Sequence, residues 1–158
     1  MAQQVQDEAR LETATRLRGV IARTDRLLAR QVTGSGLTRT QFSVLGALVH
    51  RGQLRLGALV DLEGLNPTML SRIVGALETA GLLRRTPDPA DGRAVVLEVT
   101  GDGRELHQQL QRERTALIED YLQALPPEQT RRLVAALPVL EGLADHLLLQ
   151  PELAGRRA

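Results

Sequence analysis

The stretch from Arg84 to Arg104, RRTPDPADGRAVVLEVTGDGR, predicts a β-hairpin that leads into a helix. In residues 94–99, Val95, Leu97 and Val99 occupy every second position, so their side chains would share one face of a strand. The segment is rich in β-branched residues and has the length of a typical strand. Residues 87–92 are rich in proline, aspartate and glycine, and proline cannot donate ladder hydrogen bonds, so this segment should be an exposed, stiff loop. Residues 83–86 are the expected partner strand. Thr100 suits the N-cap of a following helix.

Outward from the hairpin, apolar periodicity and capping residues predict six helices. Thr38 and Gln41 have the spacing of a capping box, and Asn66 followed by Pro67 is a good N-terminus for another helix. Pro138 should kink or interrupt the last helix. The expected helices span about 7–31, 38–52, 55–64, 66–80, 101–124 and 127 onwards.

The third and fourth helices, joined by a tight turn at Gly64, have helix-turn-helix proportions. The apolar stripe of the fourth helix leaves Thr68 and Arg72 on the opposite face, with Met69 and Ser71 on its flanks. Such a face can enter a major groove: arginine can bind guanine through two hydrogen bonds, and the hydroxyls can reach phosphate or base edges. A merely solvated surface is the alternative interpretation.

The loop adds a second candidate contact. Arg93, just after Asp91 and Gly92, could reach a narrow minor groove, where negative potential favours guanidinium. Asp91 could orient Arg93 by a salt bridge, or could cap the turn. Arg84 and Arg85 are strand charges, of which at least one could bind phosphate. The sequence therefore predicts a mainly α-helical fold with a small β-hairpin wing.

Charge and composition limit the other classes of function. The formal net charge is only +1, all 20 basic residues are arginine, and cysteine is absent. Thiolate zinc sites and disulfides are thus excluded. The segment from residue 39 to residue 93 contains seven arginines and five acidic residues. The excess of positive charge is small, so any positive surface must be local. The sequence contains no run of about 20 apolar residues, so it predicts neither a membrane span nor the apolar core of a signal peptide. We expect a cytoplasmic protein that binds no cofactor.

The first, fifth and sixth helices carry more leucine than a small winged module needs to cover, which indicates dimerisation. Packing within one chain is the alternative. We expect a single domain over residues 1–158, with a winged helix-turn-helix lobe at about 38–103 and a helical dimerisation lobe at about 7–33 and 104–149.

These residues resemble the MarR family of bacterial winged helix-turn-helix regulators. The resemblance is most specific in the wing, where Asp88-Pro89, Asp91 and Arg93 precede a junction of Leu97, Thr100 and Gly103. LTRTQFSVLGAL and LNPTMLSRIVGALETAGLLRR are similar to the family's second helix and recognition helix. The resemblance implies a homodimer on a pseudopalindromic operator of double-stranded DNA. It also implies repression of transcription that a small-molecule effector relieves.

Other functions have weaker support in the sequence. His50, His107 and His146 lie far apart and accompany no nucleophile or phosphate loop, so an enzyme is disfavoured and each histidine is expected at the surface or a helix end. Metal sensing through His50 and His107, and a winged module that binds protein, stay as alternatives. Because the chain has one tyrosine and one phenylalanine, any effector pocket should be mainly aliphatic, with arginine nearby.

Overall fold

The structure, a computed structural model, describes residues 1–88, 90, 91 and 94–148. Within them it is mainly α-helical with one small antiparallel sheet, as the sequence predicts. The elements in chain order are α1 (Ala2–Gly34), α2 (Arg39–Arg51), β1 (Leu54–Arg55), α3 (Leu56–Glu63), α4 (Pro67–Thr79), β2 (Leu83–Pro87), β3 (Val95–Val99), α5 (Gly101–Ala124) and α6 (Pro127–Leu148).

Local side-chain caps begin three of the helices where the sequence predicts them. The Thr38 hydroxyl accepts a hydrogen bond of 3.2 Å from the Gln41 N–H, and the Gln41 side chain accepts one of 2.7 Å from the Thr38 N–H. Asn66 and Thr100 cap α4 and α5 in the same way, at 2.8 and 3.1 Å. Each cap satisfies a backbone donor that the first helical turn leaves without a partner.

The predicted hairpin is present, but it belongs to a three-stranded sheet of order β1-β3-β2. Leu83 pairs with Val99 in the hairpin, and Leu54 pairs with Leu97 on the other side of β3. The prediction that the third helix begins at Arg55 is wrong by one residue. Arg55 lies in β1, with an extended backbone at φ −70° and ψ 150°, and α3 begins after it.

The hydrophobic core lies between the sheet and helices α2, α3, α4 and the start of α5. Its buried members are Leu37, Phe42, Val44, Leu45, Leu48, Leu59, Leu70, Ile73, Val74, Leu77, Leu82, Leu83, Leu97, Val99 and Leu110. Among the side chains that the structure describes, none in α1 or α6 is buried. The two terminal helices therefore add nothing to this core.

The terminal helices also differ in extent from the predictions. α1 is longer at both ends than residues 7–31. α6 continues through Pro138, so the helix is not interrupted there, and the alternative of a kink stays a prediction. Pro138 is exposed, and water can bind the carbonyl one turn earlier that loses its N–H partner. Over the described residues, no helix combines the length and the apolar character needed to cross a bilayer.

Candidate nucleic-acid interface

The outer face of α4 is the first component of the candidate interface. Its inner side buries the four residues that the sequence predicts, Leu70, Ile73, Val74 and Leu77. On the other side Thr68, Met69, Ser71 and Arg72 are all exposed, and Met69 is 49% accessible. The structure thus brings the four predicted contact residues of α4 together on one open face, free of bulky β-branched or aromatic side chains.

Arg72 differs from most arginines of this region in its charge partners. Within the described residues it forms no salt bridge, whereas Arg84 lies 2.9 Å from Glu98 and Arg85 lies 3.0 Å from Glu78. A guanidinium without an acidic partner can bind DNA without first breaking an ion pair. Arg84 and Arg85 can reach phosphate only by sharing or leaving their carboxylates, although both are well exposed.

The wing loop is closed by hydrogen bonds between its described residues. The Asp88 N–H donates to the Ala94 carbonyl at 2.9 Å, and the Ala94 N–H donates to the Asp91 carbonyl at 2.8 Å. The Asp91 N–H donates to the Asp88 carbonyl at 3.2 Å. Asp91 therefore helps to close the turn through its backbone. Arg93 lies outside the described residues, so its groove contact and its pairing with Asp91 stay predictions.

A contact that the sequence did not reveal joins the wing to β1. The Nε and Nη2 atoms of Arg55 lie 2.7 and 2.6 Å from Oδ2 of Asp88. The N–H of Ala90 donates to the other oxygen of Asp88 at 2.8 Å. The Ala90 N–H first, and then the Arg55 guanidinium, hold the pKa of Asp88 below its usual value. Since 33 residues separate Arg55 from Asp88, one sequence contains no local signal for this pair.

The end of α4 and the start of α5 form a tight junction. The Thr100 N–H donates to the Leu82 carbonyl at 3.1 Å, and the Thr100 hydroxyl donates to the Gly81 carbonyl at 2.7 Å. Gly103 is buried against Leu82, and a Cβ at Gly103 would lie 2.8 Å from the Leu82 carbonyl carbon and closer still to its oxygen. The glycine of the predicted strand-to-helix motif is therefore required by close backbone approach.

The histidines do not form a metal centre in the part of the chain that the structure describes, where no three histidine, cysteine or acidic side chains converge. The prediction that each histidine lies at the surface or a helix end is wrong for His107, which is buried. Its ring stacks on Phe42 with centroids 4.8 Å apart, and His50 approaches edge-on at 5.8 Å. Burial first, then the charges of His50 and Arg114, lower the pKa of His107. It packs as a core aromatic residue.

Comparison with known proteins gives one family. Residues 37–95 match the profile of the MarR family. An HTH-type transcriptional regulator of Mycobacterium tuberculosis is 30% identical over 138 residues, which cover 87% of this chain and 95% of that protein.

Two solved structures have the same architecture. A transcriptional regulator of Thermotoga maritima is 28% identical with a TM-score of 0.73, over 89% of this chain and 99% of that one. BpsR of Bordetella bronchiseptica, whose DNA binding is regulated by 6-hydroxynicotinic acid, is 26% identical with a TM-score of 0.62, over 84% and 92% of the two chains. This chain belongs to the MarR family, whose members are DNA-binding transcriptional regulators and not enzymes.

Proposed function

We propose that this protein is a homodimeric repressor that binds a pseudopalindromic operator and releases it when a small molecule binds. The observation that carries the DNA-binding part is the open face of α4, on which Arg72 forms no salt bridge with any described residue. A protein bound across a promoter blocks transcription by occupying the site. Because the chromosome of a bacterium lies in the cytoplasm, we propose that the protein acts there.

On the DNA, α4 would lie in the major groove with its N-terminal residues against the bases. Arg72 would read a guanine, and Thr68 and Ser71 would bind phosphate or a base edge, with Met69 beside them. The wing would follow the adjacent minor groove, where Arg93 is the proposed contact. The guanidinium of Arg84 or Arg85 would bind a phosphate while also keeping its contact with Glu98 or Glu78. Asp91 would help to keep the loop closed.

Support for the homodimer comes from the apolar surface of the terminal helices. Leu11 on α1, Tyr121 on α5, and Val134 and Val139 on α6 are 70%, 61%, 58% and 73% exposed. α1 contacts α2 and α5, yet neither α1, with 33 residues, nor α6, with 22, has a buried described side chain. Burying this surface against a second copy removes apolar area from water, at about 25 cal/mol per Å². We therefore divide the chain into a winged lobe at about 38–103 and a dimerisation lobe formed by the flanking helices.

Support for an effector comes from a groove of about 800 Å³ between α1 and α6. Leu17, Ile21, Leu143 and Leu147 give it aliphatic walls, as expected for a chain with few aromatic residues. Guanidinium groups lie along it at Arg18, Arg26 and Arg39, against one acid, Asp25. A small organic anion fits this chemistry, and 6-hydroxynicotinic acid is the first probe to use in release assays, because it regulates DNA binding by BpsR.

The deciding experiment measures binding to the DNA upstream of the protein's own gene over a range of salt. Phosphate contacts predict a steep loss of affinity as salt rises from about 50 to about 200 mM. Arg72→Ala should weaken binding and relax the preference at one base pair. Arg51→Ala removes the same charge from the exposed end of α2, outside the proposed DNA contacts and the dimerisation lobe, and is the matched control. Absence of sequence-selective binding at every salt concentration would leave a protein-binding winged module as the better explanation.

A further inference from the structure

Among the described residues, Arg55 connects the wing loop to the rest of the fold through charged contacts between residues distant in sequence. Arg55 ends β1 and serves as N-cap of α3, yet its side chain makes no capping bond to that helix. It extends to Asp88 at the base of the loop, and its Nη2 atom also lies 4.0 Å from Oδ2 of Asp91. One guanidinium therefore reaches both described carboxylates of the loop.

Asp88 is the residue on which the loop geometry depends. Its side chain is only 10% exposed, although it is charged and lies at the base of a surface loop. Each of its polar groups is used: one carboxylate oxygen accepts from Arg55 and the other from Ala90, while its N–H and carbonyl bond to Ala94 and Asp91. Loss of the Arg55 contact would leave this carboxylate held only from within the loop.

The arginines of the hairpin strands cannot replace Arg55 without giving up other partners. Arg84 is bound to Glu98, and Arg85 is bound to Glu78. Arg55 also reaches the loop from β1, the strand that precedes α3, so the contact joins the helix-turn-helix to the wing. The pairing of β1 with β3 and the ion pair from Arg55 to Asp88 thus connect the helix-turn-helix to the base of the loop.

We propose that Arg55 is a positioning residue for DNA binding: through Asp88 it holds the wing loop in the orientation that the minor groove requires. This inference rests on the proposed function. It assigns Arg55 no contact with DNA. Its effect is to lower the entropy that the loop loses on binding, because a loop already held in its bound shape has less freedom to lose.

The test compares Arg55→Ala, Asp88→Asn and the double variant in operator binding. Asparagine keeps an acceptor for the Ala90 N–H and removes only the charge that holds Arg55. We expect each single variant to lose about 5- to 50-fold in affinity, and the double variant to lose no more than the worse single one, because both changes release the same contact. Arg55→Lys should restore part of the loss. Arg51→Ala, which removes an exposed charge at the end of α2 outside the proposed DNA contacts and the dimerisation lobe, should change nothing.

Whether Asp88→Asn weakens or tightens DNA binding distinguishes a positioning role of Arg55 from a purely electrostatic one. If Arg55 bound phosphate itself, or acted only by neutralising the wing, removing the Asp88 carboxylate would tighten DNA binding. Tighter or unchanged binding by Asp88→Asn would therefore overturn the proposal.

Hydrogen exchange of the free protein gives a readout that needs no DNA. In both single variants the N–H groups of Ala90, Asp91 and Ala94 should exchange faster, while those of β3 keep their protection. Unchanged exchange at these three positions would also overturn the proposal. If the wild-type protein binds no operator, the proposed function fails and the role of Arg55 in DNA binding fails with it. Exchange then still shows whether the contact orders the loop.

Discussion

Replacement of Gly103 by alanine tests the junction between α4 and α5 most directly. An added Cβ would meet the backbone of Leu82, with the carbonyl carbon at 2.8 Å and the oxygen nearer, and would press on a methyl group of Val99 at 3.0 Å. Ordinary contacts between carbon and a carbonyl oxygen are about 3.3 Å or longer. Because the obstacle is backbone, no side-chain rotation can relieve it, and α5 must move away from β2.

The magnitude follows from three contributions. Overpacking of a well-packed site costs about 1 to 3 kcal/mol. Moving α5 also stretches the 3.1 Å hydrogen bond from the Thr100 N–H to the Leu82 carbonyl, and such a bond contributes about 1 kcal/mol. The greater helix propensity of alanine offsets up to about 1 kcal/mol. We expect Gly103→Ala to lower the free energy of unfolding by about 1 to 3 kcal/mol.

Gly101→Ala is the matched control. Gly101 lies in the same first turn of α5, and a Cβ there would have no atom within 4 Å. This variant should be neutral or stabilised by up to about 1 kcal/mol. Urea unfolding followed by circular dichroism, at one protein concentration for all variants, should give midpoints separated by at least about 0.3 M, with Gly103→Ala the lower. Equal midpoints for the two variants would refute the reasoning from close backbone approach.

Four further predictions concern other parts of the molecule. Arg93→Ala should weaken operator binding by about 1 to 3 kcal/mol in a titration while sedimentation shows the dimer intact, and wild-type affinity would remove the wing from the mechanism. Val134, on α6, is 58% exposed, and Val134→Glu should give monomers in sedimentation. Leu62, on α3, is 39% exposed, and the control Leu62→Glu should stay dimeric. A dimeric Val134→Glu variant would argue against the proposed interface. The lowered pKa of His107 means that the unfolded chain binds a proton that the folded chain rejects, so stability should fall as pH drops below about 6.5. In His107→Phe the urea midpoint should change less between pH 7.5 and pH 5.5 than in the wild-type protein. An equal change in both proteins would show that His107 does not cause the pH dependence. Asn66→Ala should reduce stability by about 1 kcal/mol and Asn66→Ser by much less, in the same unfolding assay, if the cap of α4 contributes as its 2.8 Å hydrogen bond indicates.

The features that the sequence predicted are those encoded over a few neighbouring residues. The capping box of Thr38 and Gln41, the cap at Asn66 and the alternation in β3 all act within one turn or one strand, so one sequence is enough to read them. The exposed face of α4 followed from its periodicity in the same way. These local rules were sufficient for the fold and for the grouping of Thr68 and Arg72.

The features that were missed depend on residues far apart in the chain. β1 has two residues, and its partner Leu97 lies more than forty positions later, so neither length nor pattern marks it as a strand. The contact from Arg55 to Asp88 and the burial of His107 against Phe42 also arise only after the chain has folded. At Pro138 a local rule predicted a kink or an interruption, and α6 is not interrupted because the exposed position tolerates the loss of one hydrogen bond.

The junction at Thr100 and Gly103 makes α5 a lever for the DNA-binding face. α5 has 24 residues, which at 1.5 Å per residue gives a length of about 36 Å. In a dimer held at the far end of this helix, a tilt of about 5° would move the near end by about 3 Å, close to one base-pair step of about 3.4 Å. Since Thr100, the N-cap of α5, is hydrogen-bonded to Gly81 and Leu82 just after α4, that shift would change the spacing of the two recognition helices in the proposed dimer. A ligand could therefore release DNA from a distance, without touching any residue that contacts it.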